Sequence, residues 1–152
     1  MKTSTLLGLF ILIYLCTTDT MAGDIKDNPI TQQMLADIAH VQWQLDLVQD
    51  SATHTPFPKA PPVTIMLEET GKVTGSAPVN RYFGEFELKD NGVIQWNSPG
   101  FGATMMAGPP ELMELEQYYL NSLHQCNRLS ISDSRLVFSR HASELRLEYT
   151  KQ

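Results

Sequence analysis

Between Val41 and Tyr149, apolar residues recur at alternate positions in short runs, and at one place the period lengthens to three or four. That contrast limits the fold more than any other feature. VQWQL, VTIML, RYFGEFEL, VIQW, RLSIS, RLVFS and ELRLEY each set a greasy side against a polar one, which marks strands with one buried face. KVTGS returns from the Thr70-Gly71 turn, and Lys89-Asp90-Asn91-Gly92 is a strong hairpin signal because Asn-Gly accepts positive φ. PPELMELEQYYLNSLHQC differs. Leu112, Leu115, Tyr119, Leu123 and Cys126 form one helical stripe, and Pro110 with Glu111 and Glu114 suits a helix start. Glu111, Glu114 and Glu116 read as first-turn and solvent-face acids. About eight strands joined by short turns favour antiparallel pairing. The expected fold class is α+β: a curled antiparallel sheet or partly open β-barrel covered by one long α-helix.

The N-terminus has a different character. Lys2 precedes the apolar run LLGLFILIYLC, which is too short to cross a bilayer as a mature helix. Thr20 and Ala22 are small residues placed for signal peptidase, so residues 1–22 read as a signal peptide cleaved before Gly23. An N-terminal membrane anchor is the alternative. A third reading lipidates Cys16 and makes an outer-membrane lipoprotein, although Leu15 is not the small residue that processing takes. Membrane attachment is expected only with lipidated Cys16; otherwise the protein is periplasmic or secreted. Cleavage at Ala22 leaves Cys126 as the single cysteine, so no internal disulfide is available.

Residues 23–40 read as an N-terminal extension with a short helix, opened by Asn28-Pro29 and patterned by Ile30, Met34, Ile38 and Val41. Residues 41–152 form the single domain. Within it, Val41, Trp43, Leu45 and Leu47 make the first buried strand face. THTPFPKAPP follows, and its four prolines demand an extended loop.

Eleven basic against seventeen acidic residues give a net charge of −6, which argues against nucleic-acid binding. His40, His54, His124 and His141 form no metal-ligand spacing, and no nucleophile elbow is present. Neither cofactor nor metal is expected. Met105 and Met106, beside Phe101, read as core packing, with the lining of an apolar cavity as the sharper alternative.

GSAPVNRYFGEF holds the best candidate site. Asn80 and Arg81 are candidates for holding a partner or an anionic group. Structurally, Asn80 would bond backbone groups in the bend while Arg81 pairs with an acid. Tyr82 and Gly84 belong to the same motif, and the stretch reads mainly as a joint.

From Trp43 to Tyr149 the chain resembles the META domain, or HslJ-like, family of bacterial envelope and trypanosomatid proteins. VQWQL is similar to its Trp-x-Leu strand. GSAPVNRYFG is similar to its Gly-Ser-Ala-Gly-Cys-Asn-Arg-Tyr-Ser-Gly turn, and TMMAGPPELMELEQYYLNSL to its Thr-x-Met-Ala-Cys-Pro segment. Val79 and Gly108 stand where the family carries cysteines, and Pro78 replaces a glycine. The resemblance therefore implies a lost disulfide and places Val79 near Gly108. It also implies an exported, non-enzymatic envelope protein linked to stress tolerance, envelope integrity or secretion, with a hydrophobic ligand or an envelope protein as partner. The competing expectations are an inhibitor of a secreted hydrolase, presenting TPFPKAPP, and an enzyme of unknown reaction.

Overall fold

The computed structural model describes residues 27–51 and 54–152. The signal-peptide reading, Cys16 and residues 23–26 lie outside those described. Asn28–Pro29, expected to open the first helix, instead form a short strand, β1. Proline has no N–H to donate and is tolerated there because β1 ends the sheet. The helix α1 spans Gln32–Ile38 and is capped by Thr31, whose Oγ1 accepts the Met34 N–H at 3.3 Å.

Strand β2 (Gln42–Gln49) buries Trp43 and Leu45, then Val48 rather than the expected Leu47. The reason is a bulge. Glu148 faces Leu47 and Tyr149 faces Leu45, so Asp46 has no opposite residue and the face flips. At the same place β2 changes neighbours. Its first half pairs with β4 (Thr64–Leu67) and its second with β3 (His54–Pro56).

The remaining strands are β5 (Lys72–Ser76), β6 (Arg81–Leu88), β7 (Ile94–Trp96), β8 (Gly102–Ala103), β9 (Arg128–Ser132), β10 (Arg135–Ser139) and β11 (Arg146–Lys151). All pairings are antiparallel, and the order is β1-β9-β10-β11-β2-β4-β5-β6-β7, with β3 on β2 and β8 on β6. The count among the described residues is thus eleven, not about eight. The extra strands β1, β3 and β8 have two or three residues each, too few to show a period. The path is open. Among the described residues, β9, next to one end, approaches β7 at the other through an isolated bridge, Val93 to Arg128, and an Ile94 N–H to Asn127 carbonyl bond of 3.0 Å.

The second helix, α2 (Pro110–Gln125), crosses from β8 to β9 and presents Tyr119 and Leu123 to the core. There they join Tyr82, Phe86, Phe138, Leu147 and Tyr149, all essentially inaccessible to solvent. Phe57 of the proline-rich segment also turns inward, against Tyr119 at 6.0 Å between ring centroids. At the edge, Asp27 clamps β1 to β11. Arg146 Nη1 and Nη2 donate to its two carboxylate oxygens at 2.6 and 3.0 Å, and Arg146 Nε donates to Glu148 at 2.6 Å.

Candidate functional site

The bend between β5 and β6 closes through an Ala77 N–H to Asn80 carbonyl bond of 2.8 Å. Asn80 is 4% exposed. Its amide Nδ2 donates to Glu116 Oε1 at 2.7 Å and to the Met106 carbonyl at 3.3 Å. Its Oδ1 accepts from Thr104 Oγ1 and from the Met106 N–H, both at 2.8 Å. Glu116 Oε2 in turn accepts the backbone N–H groups of Val79 and Asn80, at 2.8 and 2.7 Å. Three segments distant in sequence therefore meet on one side-chain pair: the bend, the loop after β8, and the second turn of α2.

Glu116 is 6% exposed, so it is not the solvent-face acid expected from its charge. It sits four residues after Leu112 and three before Tyr119, on the buried stripe, and that spacing is the signal that places it. No cation pairs with it among the described residues. Three N–H donors satisfy the carboxylate instead, and such charge-assisted bonds are stronger than neutral ones.

Val79 lies against the start of α2. A Cβ placed on Gly108 would stand 3.5 Å from Val79 Cβ. That is within the separation a disulfide spans.

Arg81 is exposed and, contrary to expectation, its guanidinium makes no ion pair or hydrogen bond among the described residues. Only its backbone is engaged: Thr104 Oγ1 accepts its N–H at 3.1 Å, and the Thr104 N–H donates to its carbonyl at 3.0 Å.

Tyr82 points the other way. Its hydroxyl donates to the Thr64 carbonyl at 2.9 Å. That bond uses its proton, so Tyr119, 2.6 Å away, is the donor between them, and Tyr149 donates to Tyr119 at 3.1 Å. Burial, reinforced by the neighbouring tyrosines, pushes all three hydroxyls well above the ordinary phenol range. They are neutral links in the core and unsuited to general-base work.

Gly84 leaves room for a ring. A Cβ there would lie 2.6 Å from Phe101, and one on Gly102 would lie 2.4 Å from Phe83. Phe83 faces Gly102 across the β6–β8 pair, and Phe101, the residue just before β8, packs over Gly84 of β6.

Met105 and Met106 line no interior. They are 99% and 56% exposed, on the loop that Asn80 holds. Phe83 is 59% exposed nearby on β6. The expectation of core packing fails because Thr104 and Met106 spend their polar groups on the bend, which turns the methionine side chains out.

Cys126 is buried, donates its Sγ–H to the Ser122 carbonyl at 3.4 Å, and has its thiol pKa raised by burial. His40, His124 and His141 are exposed. Among the described residues, no three His, Cys, Asp or Glu side chains converge as a metal site would require.

An open antiparallel sheet with a helix laid into it, carrying a bend tied to that helix, defines a small α+β class. The META domain profile matches residues 36–152. The chain belongs to the META domain family. Similar solved structures include an NMR structure of a protein from Burkholderia xenovorans, with 20% identity, TM-score 0.64, and coverage of 84% of this chain and 92% of that one. Another is a crystal structure of a DUF4847 family protein from Bacteroides vulgatus, with 11% identity, TM-score 0.54, and coverage of 74% and 93%. At such identities the likeness concerns the fold alone. No curated protein matches the sequence.

Proposed function

We propose that this is an exported, non-enzymatic protein of the cell envelope that binds an apolar segment of another envelope protein through the loop around Met105. The observation that carries this reading is the pinned loop. Asn80 grips it with three hydrogen bonds, two to Met106 and one to Thr104, yet Met105 is almost wholly exposed. Exposed apolar side chains on an anchored loop contribute nothing to folding and fit recognition. Methionine adapts to varied apolar partners. Arg81, on the same bend and without an acid partner among the described residues, adds one cation to that face.

Surface binding is preferred to a ligand held inside the sheet, because large aromatic and aliphatic side chains occupy the interior. Proteinase inhibition through TPFPKAPP is less favoured, since Phe57 is committed to the core. Export rests on the signal-like N-terminus. A role in envelope integrity or stress tolerance rests on the family.

Photo-crosslinking in intact cells tests the reading. A photoreactive residue at Met105 should capture a discrete envelope partner, and one at Asp133, an exposed turn on another part of the molecule, should not. Mass spectrometry of the same material should find the chain beginning at Gly23. Equal capture at both positions, or none at Met105, removes the binding surface. A chain retaining residues 1–22 in the cytoplasm removes export.

A further inference from the structure

At the C-terminal end of α2, away from the bend at its start, a groove of about 440 Å³ opens beside the β10–β11 turn. Three of the chain's five arginines line it: Arg128, Arg140 and Arg146. That concentration is unexpected in a protein of net charge −6.

The three are not equivalent. Arg146 is consumed by Asp27 and Glu148. Arg140 donates from Nη1 to Gln125 Oε1 at 3.0 Å, a neutral acceptor, and no carboxylate pairs with it among the described residues. Arg128 also lines the groove and has no carboxylate partner among the described residues. The remaining carboxylate on the groove is Glu144, which is exposed in the turn. Two forked donors thus converge on a groove that also offers Ser139, Ser143 and His141.

We infer that this groove binds a small oxyanion of the phosphate or sulfate type, with Arg128 and Arg140 as its principal donors. Planar guanidinium forks match tetrahedral oxyanions with paired N–H bonds, which an ammonium cannot do. A free phosphate and a phospholipid headgroup present the same chemistry, and the site would recognise either.

The test is a titration of the ¹⁵N-labelled protein with inorganic phosphate, followed by amide shifts. Saturable shifts are expected at residues 139–144 and at the Arg128 backbone amide. Arg128→Met and Arg140→Gln should each weaken binding about tenfold. Lys59→Met, which removes an equal charge from an exposed loop, should leave the affinity unchanged. Using two separate arginine variants, each checked for a native spectrum, guards against loss of fold in one of them.

Vesicles of phosphatidylcholine with and without phosphatidic acid identify the source. Flotation that depends on Arg128 and phosphatidic acid assigns a headgroup; shifts with inorganic phosphate alone assign a soluble anion. The proposal is overturned if phosphate gives no saturable shift, or if Lys59→Met weakens binding as much as Arg128→Met.

Discussion

Asn80 uses both atoms of its amide, and Glu116 uses both oxygens, so the pair has a defined hydrogen-bond polarity. Replacing Asn80 by Asp sets an acceptor against Glu116 Oε1 and buries two like charges. Asn80→Asp should therefore destabilise the protein by about 3 kcal/mol in urea unfolding. Adding Glu116→Gln restores a donor between them and should recover at least half of the loss, which a double-mutant cycle measures. A simple sum of the two single effects would show that the pair is not coupled. Tyr119 is the middle link of the hydroxyl chain. Tyr119→Phe strips the acceptor from Tyr149 and the donor from Tyr82. It should cost about 1–3 kcal/mol with little change in volume, read as a lower urea midpoint. Some of this is legible from sequence. The order Asn80, Arg81, Tyr82 marks a bend followed by a strand, and alternation turns Tyr82 inward. The Asn80–Glu116 contact is not legible, because nothing local ties residues 36 positions apart.

At the scale of elements, strands that keep strict alternation are readable because one-sided burial imposes period two. β6 and β11 bury Tyr82 and Phe86, and Leu147 and Tyr149, whereas β10 buries Val137 on its second face as well as Leu136 and Phe138. The Asp46 bulge and the very short strands escape that logic, since their cause is pairing with distant segments. The join between bend and helix can be tested by a cross-link. Val79→Cys with Gly108→Cys should oxidise to a disulfide, given the Cβ separation of 3.5 Å. The bond should stabilise the fold by about 2–3 kcal/mol, seen as a rise in Tm that a reductant reverses. Cys126 is buried and should stay out of the exchange. The β1–β11 clamp should respond to acid. Arg146 holds the Asp27 carboxyl below its usual range. Burial opposes ionisation of Glu148, but bonds from Arg146 and Arg135 outweigh it and lower that pKa too. Depressed carboxylate pKa values stabilise the fold above the unfolded-state pKa of about 4 and lose that contribution as pH falls through the folded values. Stability should therefore decline as pH drops below about 5 and on through the lowered folded values, and Arg146→Met should flatten that decline while lowering stability at neutral pH.

For the whole molecule, a packed interior and a tied-down exposed loop divide the work. The core settles the fold without a disulfide among the described residues. The Asn80–Glu116 pair joins sheet, loop and helix so that Met105 and Met106 face solvent on a fixed frame. Their exposure is hidden in the sequence because apolar residues beside Phe101 resemble core. Hydrogen exchange at the Met106 amide tests this division most directly, since that N–H sits on an exposed residue and is bonded to buried Asn80. The account predicts protection comparable with the Val79 and Asn80 amides, lost at all three together in Glu116→Ala. Exchange at Met106 as fast as in an unfolded chain, beside protected Val79 and Asn80, would contradict it.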